Sequence, residues 1–381
     1  MKARVHSFFY SPVSRLLFSL LQMSRKRSLR LDKRVNLFLI NDAEEMRDGA
    51  GAQIQRLISL YCIAQTFRMH FLKSSINLID SQNHLTPGES RAPDSAWSTL
   101  VEEFLVGFDE KETQHQLQSF RIASTSCAFQ LFQLLVLKVF VMITSRNLQV
   151  IIPSPRLIAD NFPEIFEVLN HHNNHLSADR TKTRPLRVVC HIRQGVLFLP
   201  EHQNRLLSFG YYEIILSEII FVLKALHLNF EVYVLAECGT ELFRFYSSDA
   251  RSIARDVISL PQSQFQIVSV QSNYIEVLYN SPDKNNHPIL YANYRKTPES
   301  DFCDFQSLLN ADIIIGSKSS FSFSAAILNR GAVVVFPKFW HELPQSWIHL
   351  NQNDLLTFGV RQDFRKSLIR HFEDFRKGER M

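Results

Sequence analysis

The chain has 381 residues, 45% of them hydrophobic and 21% charged, which is enough for two domains with cores and excludes a disordered or collagen-like polymer. The net charge of +5 is uneven, because residues 1–34 carry nine Lys or Arg and one acid, Asp32. That segment has a net charge of +8 and leaves −3 for the rest. The body is therefore not a polyanion binder by bulk charge, and no nucleic-acid partner is expected.

The first segment contains an apolar run at 8–23 that Pro12 and Arg15 interrupt and basic residues follow. It is too short and interrupted to predict a membrane span, and no small-residue cleavage site follows it. Two interpretations remain: residues 1–34 make peripheral contact with an anionic membrane surface, or they form a surface tail. Five cysteines without close spacing predict buried, reduced thiols and a cytoplasmic protein, membrane-associated under the first interpretation.

Residues 35–41 predict a strand, and the stretch DGAGAQIQ after it contains two of only 11 glycines in the chain. A helix and a second strand at 70–80 follow, which makes a β–loop–α–β unit. Gly49 and Gly51 would let a backbone approach a ligand at the start of that helix. A tight turn for packing explains the same two glycines nearly as well.

Residues 99–180 are predicted to be mainly helical, with one strand at 148–153. The apolar run at 127–143 is at the edge of spanning length, and a buried helix is favoured over a membrane helix. The polar segment 171–185 is the predicted domain boundary. Its three histidines lack a carboxylate or thiol at ligand spacing, so an exposed linker is favoured over a metal site.

After the boundary, strands and helices alternate regularly, which predicts an α/β fold with doubly wound parallel sheets. The predicted strands are 186–192, 230–237, 265–271 and 331–337, with a further strand that runs into a loop over 312–320. The predicted helices are 211–228, one from 241, 302–311 and 321–330. The predicted domains are a basic leader 1–34, an N-terminal acceptor-side α/β domain 35–184, a C-terminal nucleotide-sugar-binding domain 185–360 and a helical tail 361–381.

Two loops of the C-terminal domain follow buried strands, where open α/β sheets bind ligands. HIRQG places Arg193 at the end of a strand, where a guanidinium needs an anion, either a phosphate or a structural carboxylate. GSKSSFSFSAAIL places small hydroxyl residues before a helix, which is typical of an anion site. N-capping by Ser319 or Ser320 is the simpler explanation of the second loop.

The glycine stretch, HIRQGV and ADIIIGSKSSFSFSAAIL together resemble the fucosyltransferase superfamily of bacterial α-1,2- and α-1,6-fucosyltransferases and protein O-fucosyltransferases. The resemblance covers about residues 35–345. It implies a GT-B fold of two Rossmann-like domains facing across a cleft. It also implies an inverting, metal-independent transfer of L-fucose from GDP-fucose to a glycan acceptor, with no cofactor beyond that donor and no bound metal.

Carried onto this sequence, the resemblance implies two catalytic residues, Arg193 and His191. The implied donor-binding residues are Gly49, Gly51, Arg193, Asp304, Asp312, Ser317, Ser319 and Ser320. Asp312 can equally be a strand-edge cap. The candidate general bases are, in falling order, His191, Asp48 and Glu201. Where the family commonly has an acid after the glycine of its second motif, this chain has Val196.

Two alternatives stay open, and Val196 motivates the first of them. The first is a non-catalytic relative that binds a nucleotide or a glycan without transferring sugar. The second is a glycosyltransferase of the same fold that uses another donor. The sequence identifies neither the acceptor nor the linkage, and it leaves the oligomeric state open.

Overall fold

A computed structural model gives the fold. It describes residues 12–28, 36–41, 50–73, 94–105, 108–109, 117–122, 126–153, 155–169, 184–193, 205, 207, 209–236, 242–246, 265–270, 274–279, 289–291, 300–329, 331–339, 343–351 and 358–377. Contacts between Cα atoms divide these residues into two compact units. The N-terminal unit contains the described residues of 12–169 and 343–344, and the C-terminal unit contains those of 184–339 and 345–377.

The N-terminal unit is built on a parallel five-stranded sheet with the order β3-β2-β1-β5-β4. Its strands are β1 (Leu37–Asn41), β2 (His70–Lys73), β3 (Phe108–Asp109), β4 (Gln118–Arg121) and β5 (Leu148–Ile152). Its helices are α1 (Pro12–Ser28), α2 (Ala50–Phe67), α3 (Asp94–Phe104), α4 (Cys127–Thr144), α5 (Arg156–Ala159) and a 3₁₀ helix (Pro163–Glu167). Strands β2 and β3 lie on one side of β1 and strands β5 and β4 on the other, so the strand order reverses between β1 and β5.

The C-terminal unit is built on a parallel six-stranded sheet with the order β11-β7-β6-β12-β13-β14. Its strands are β6 (Leu186–Ile192), β7 (Phe230–Ala236), β11 (Ile289–Tyr291), β12 (Ile313–Ile315), β13 (Val333–Phe336) and β14 (Ile348–His349). Its helices are α6 (Phe209–Ala225), α7 (Ser300–Leu309), α8 (Ser320–Leu328) and α9 (Phe358–Lys377). Counted along the chain within this sheet, the order is 3-2-1-4-5-6, which is that of the Rossmann fold.

The central strands of the second sheet are almost wholly apolar because helices cover both faces of a parallel sheet. Every residue of β12 and β13 is buried, and in β6 only Arg187 is exposed. Helix α6 covers one face of this sheet, and α9 packs against α6. Glu218 of α6 and Arg365 of α9 form an ion pair between the two helices. The predicted α/β class with parallel sheets is therefore confirmed.

Residues 242–246, 265–270 and 274–279 differ from the prediction. They form a separate antiparallel sheet with the order β8-β10-β9, built from β8 (Leu242–Tyr246), β9 (Phe265–Val270) and β10 (Tyr274–Tyr279). The helix predicted from 241 is wrong, because LFRFY pairs with β10 as strand β8. Its aromatic residues, Phe243, Phe245 and Tyr246, are types that favour strands. The strand predicted at 265–271 exists as β9, but it lies outside the parallel sheet.

Only a third of helix α4 is buried, so the prediction of a buried helix is corrected. Residues at helical spacing face the interior of the N-terminal unit: Cys127, Gln130, Leu131, Leu134, Lys138 and Val141. The Lys138 ammonium donates a 2.6 Å hydrogen bond to the carbonyl of Phe67, at the end of α2. The opposite side of the helix is apolar and exposed. Alternating exposure follows from the helical repeat, which a uniformly apolar run does not reveal.

The thiols follow the prediction only in part. Cys62, Cys127 and Cys190 are buried and form no disulfide, as expected, whereas Cys303 on α7 forms no disulfide but is exposed. The prediction of burial is therefore wrong for Cys303. Cys238 lies outside the described residues.

Helices α2, α4 and α6 end on residues with positive φ that are not glycine: Arg68, Ser145 and His227. After α6, the His227 N–H donates to the Lys224 carbonyl and the Leu228 N–H donates to the Leu223 carbonyl, each at 3.0 Å. This is the Schellman arrangement, in which glycine is normally favoured at the left-handed position. A glycine-poor chain therefore bears backbone strain at these ends.

We predict that His227→Gly raises the free energy of unfolding by about 0.5–1 kcal/mol, because glycine relieves the left-handed strain at φ 54°. His227 is exposed, so its side chain contributes little packing. Urea denaturation of the full chain measures the change. His227→Ala is the control, since alanine keeps the strain and gives no such gain. Equal stability of the two variants would contradict the prediction.

Candidate active site

The candidate site lies at the carboxyl edge of the second sheet, where β6 and β12 pair in parallel and strand order reverses. β12 pairs Ile315 with Cys190 of β6, so the chain leaves both strands at the same edge. His191 and Arg193 come from the end of β6, and Ser317 comes from the loop after β12. Open α/β sheets bind ligands at this type of crevice.

His191 and Ser317 hold the two strand ends together. His191 Nδ1 and Ser317 Oγ are 2.8 Å apart, and both side chains are buried. Tyr212 of α6 adds a side-chain hydrogen bond to Ser317 and one to the backbone of Arg193. The His191 ring stacks on Phe321 at the start of α8, with centroids 5.4 Å apart. The two strand ends, α6 and α8 therefore form one hydrogen-bonded and aromatic cluster.

Burial and, to a lesser degree, the neighbouring Arg193 guanidinium lower the pKa of His191 to about 3. The imidazole is therefore neutral across the physiological pH range. In the hydrogen bond to Ser317 either partner can donate. The imidazole donates when the proton is on Nδ1, and the serine hydroxyl donates when it is on Nε2. A neutral, enclosed imidazole orients its hydroxyl partner and is a weak proton acceptor.

Gly316 lies between β12 and the serine loop (residues 317–319), where the backbone passes close to a buried ring. A Cβ at this position would lie 2.2 Å from two ring carbons of Phe336 on β13. The Phe336 ring is buried and packs against Phe323 and Trp347, with centroids 5.9 and 5.4 Å away. Because that ring has no room to move, only glycine lets the backbone pass here.

The serine loop forms the amino end of α8. Ser319 is the N-cap, and its Oγ accepts a 3.2 Å hydrogen bond from the N–H of Phe321. Ser320 begins the helix and is buried. Ser322 Oγ lies 3.4 Å from the N–H of Ser317, which ties the loop back onto the helix. Capping by Ser319 is thus present, and the first-turn N–H groups give this end a positive potential.

Two further cations lie at this loop, Lys318 and Arg205. Lys318 is half-buried, and burial lowers its pKa from the ordinary value. Arg205 donates to the Lys318 carbonyl from Nε and Nη2, each at 3.4 Å, and its guanidinium lies over the Phe339 ring at 5.3 Å. Together with Arg193, three cationic side chains come from the strand end and loops at one edge of the sheet. Such a cluster suits an anion such as a diphosphate.

Asp312 does not join this cluster. It lies before β12, at the amino edge of the sheet, roughly 16 Å along the strand from Ser317. Arg184 binds its carboxylate through two hydrogen bonds of 2.7 and 2.9 Å, and the N–H of Arg187 donates to it at 2.8 Å. Of the two interpretations of Asp312, the geometry matches the strand-edge cap.

Asp304 lies on α7 and is buried. The next residue, Phe305, contacts the ring of Phe321 with centroids 5.2 Å apart, and Phe321 stacks on His191. Asp304 is therefore the chain neighbour of a residue, Phe305, that belongs to the aromatic cluster around His191. Among the predicted donor-binding residues of this unit, Arg193, Ser317, Ser319 and Ser320 come together, Asp304 lies nearby and Asp312 does not.

The N-terminal unit carries the glycine stretch at the corresponding reversal of its own sheet. Gly51 is buried in the first turn of α2, while Gly49 lies outside the described residues, as do Asp48, Val196 and Glu201. Asn41 ends β1 and is only 3% exposed. Neither atom of its side-chain amide has a hydrogen-bond partner in the part of the chain that the structure describes.

Sequence reasoning missed four polar residues: Asn41, Arg205, Tyr212 and Lys318. Lys318 lies inside the serine motif and could have been found as the cation between its serines. Asn41 closes an apolar strand and could have been found as a polar residue at a strand end. Arg205 and Tyr212 have no sequence signature, because only the fold brings them to the loop.

A metal ion is not expected at this edge. Within the described ranges, no three His, Cys, Asp or Glu side chains come together as metal ligands would. Metal independence stays a prediction.

No protein-family model matches the chain. No curated protein sequence matches it either. Among solved structures, the chain is similar to the crystal structure of the fucosyltransferase NodZ from Bradyrhizobium, with 11% sequence identity. The similarity covers 78% of this chain and 92% of that one, with a TM-score of 0.23. A TM-score this low does not establish a shared fold, and the resemblance to fucosyltransferases stays a prediction.

We predict that His191 makes stability depend on pH in the acid range. Its folded pKa of about 3 lies below the ordinary 6.5, so the unfolded chain binds more protons between those values. The contribution of His191 to the free energy of unfolding is complete above about pH 6.5. It decreases as the pH is lowered, by about 2 kcal/mol between pH 7 and pH 5. Denaturant titration of the wild type and of His191→Asn, whose amide does not titrate, isolates this contribution. Identical pH slopes would contradict it.

Proposed function

We propose that the chain is a glycosyltransferase that binds the diphosphate of a nucleotide-sugar donor at the β6–β12 crevice. The observation that carries the proposal is the convergence of Arg193 and the amino end of α8 at the strand-order reversal. Cations and helix N–H groups together form a recurrent phosphate site. Lys318 adds a third source of positive potential.

The donor we propose is GDP-fucose, and the acceptor is a glycan, with a lipid-linked glycan as one form. Support for this finer assignment comes from the three sequence motifs. We also propose a GT-B organisation, since each unit has a parallel sheet with its own reversal of strand order. The runner-up functions are transfer from another sugar nucleotide and non-catalytic binding, the latter motivated by Val196.

In the proposed reaction, an acceptor hydroxyl oxygen attacks the anomeric carbon of the sugar as the bond from that carbon to the β-phosphate oxygen breaks. The departing nucleoside diphosphate keeps the electron pair, and the acceptor proton passes to a base. Negative charge therefore grows on the β-phosphate in the transition state. A fixed Arg193 guanidinium stabilises that charge more in the transition state than in the ground state.

The proposal gives His191 a positioning role. An imidazole with a pKa of about 3 accepts a proton poorly at neutral pH, but it fixes the Ser317 hydroxyl. Ser317 is in turn bonded to Tyr212, whose side chain also contacts the Arg193 backbone. His191 thus acts on the donor through the serine loop. Asp48 and Glu201 remain the candidates for the general base.

We predict that GDP and GDP-fucose stabilise the folded chain and that UDP-sugars do so much less. A ligand at 100 times its dissociation constant adds about 2.7 kcal/mol to the free energy of unfolding. A thermal-shift screen of GDP, GDP-fucose, UDP and UDP-sugars measures this. Equal shifts for guanosine and uridine nucleotides would contradict the donor assignment. Binding of GDP-fucose without transfer or hydrolysis would support the non-catalytic alternative.

We predict that Arg193→Lys lowers turnover about 10²-fold, equivalent to roughly 2.7 kcal/mol, while the fold remains intact. Lysine keeps the charge but loses the planar pair of donors that a phosphate engages. The matched control is Arg187→Lys, because Arg187 is exposed at the amino end of the same strand.

The turnover assay measures sugar transfer with EDTA present. Near wild-type turnover in a folded Arg193→Ala variant would contradict the role of Arg193. Activity that EDTA abolishes and manganese restores would contradict the metal-independent mechanism.

A further inference from the structure

Two helices of the N-terminal unit expose most of the large apolar side chains that the protein presents to solvent. Of twelve such exposed side chains among the described residues, three lie on α1 and seven on α4. On α1 they are Val13, Leu16 and Leu20; on α4 they are Phe129, Phe132, Val136, Val139, Phe140, Met142 and Ile143. A soluble surface helix normally presents polar residues there, so this face needs a partner.

The exposed residues of α4 form one stripe. Six of the seven recur every one, three or four positions from Phe129 to Ile143, which is the spacing of a single helix face. Exposure of a side chain reaches 50% at Phe132 and 78% at Ile143. The opposite face packs into the unit, so the stripe is fixed in position on a folded support.

Helix α1 extends the same surface. It packs against both α4 and α2 and buries Leu17, Phe18 and Leu21. The Phe18 ring stacks on Phe162 with centroids 4.1 Å apart. Val13, Leu16 and Leu20 of α1 are exposed, with Leu16 at 59% exposure. The docking face is defined as the ten exposed apolar residues of α1 and α4.

The charges on α1 and α4 themselves are all of one sign. Neither α1 nor α4 contains an Asp or Glu, and α1 contains Arg15, Arg25, Lys26 and Arg27. The one charged residue of α4, Lys138, points inward and is 1% exposed. Residues 1–34 as a whole carry a net charge of +8. An apolar surface beside basic residues matches the headgroups and acyl boundary of an anionic bilayer.

This charge pattern also argues against a second copy of the chain on the same face. A symmetric dimer through the docking face would bring together two copies of α1, each with Arg15, Arg25, Lys26 and Arg27. An anionic surface gains from the same charge. The partner that fits both the apolar stripe and its basic flank is therefore a membrane.

We propose that α1 and α4 dock the N-terminal unit onto an anionic membrane surface, with the docking face inserted to the acyl boundary. Among the described helices, α4 alone has the length and apolar composition to cross a bilayer, but 33% of it is buried in the protein. Gln130 and Lys138 also belong to its buried face. Helix α4 therefore lies in the plane of the interface. The basic leader supplies attraction, and α4 supplies most of the inserted area.

The first test is flotation of the full chain with vesicles of phosphatidylcholine alone or with 30% phosphatidylglycerol, at low and high salt. We expect binding to the anionic vesicles that weakens with salt. Phe132→Glu with Ile143→Glu should lower the bound-to-free ratio about tenfold or more, because charges must enter the apolar boundary. The matched control is Phe120→Glu, since Phe120 is an exposed phenylalanine on β4 of the same unit and outside the docking face.

The second test uses conservative variants that do not depend on folding of the charged ones. Brominated phosphatidylcholine in anionic vesicles should quench the fluorescence of Phe132→Trp and leave that of Phe120→Trp, both measured against the wild-type signal. Absence of binding to anionic vesicles would overturn the proposal, as would equal quenching of the two variants. Sedimentation of a dimer that the Phe132 and Ile143 substitutions dissociate, without vesicle binding, would assign the face to a second copy. None of these outcomes depends on the nucleotide site.

Discussion

The parallel pairing of β6 with β12 is the constraint on which the candidate site depends. This pairing places Cys190 opposite Ile315, so the segments that follow β6 and β12 begin at the same edge of the sheet. The 2.8 Å contact between His191 and Ser317 then joins the end of β6 to the loop after β12. Gly316 lets the backbone after β12 pass close to the Phe336 ring. Arg193 and the start of α8 are close together because these contacts leave the backbone little freedom.

The sequence predicts this part of the molecule well, because its information is local. Apolar strands such as LRVVCHI and helices of matching length recur at the spacing of a parallel sheet, and four of the predicted strands form β6, β7, β12 and β13 of the six-stranded sheet. The sequence does not predict the short edge strands β11 and β14. Arg193 and the serine loop are recognisable because a charge and small hydroxyl residues follow buried strands. Asp312 differs, because its position before β12 places it at the amino edge of the sheet but does not reveal its partner. Its pairing with Arg184 depends on a contact 128 residues away.

Other features could not be predicted because they depend on tertiary contacts alone. Tyr212 looks like one more core residue of α6 until Ser317 is found beside it. The apolar run of α4 gives no indication of which face packs, since both faces are apolar. Only the position of Lys138, which bonds the end of α2, orients the helix and leaves Phe132 and its neighbours exposed. The segment at 242–246 was misread because a short apolar stretch fits a helix or a strand.

The central claim is that an anion of the donor binds where β6 and β12 end. A crystal structure of the full chain with GDP tests it most directly. The account predicts diphosphate oxygens within about 3 Å of the Arg193 guanidinium and of N–H groups in the first turn of α8. Lys318 should lie within reach of the same oxygens. GDP bound elsewhere, with the β6–β12 crevice unchanged and empty at saturating nucleotide, would contradict the account.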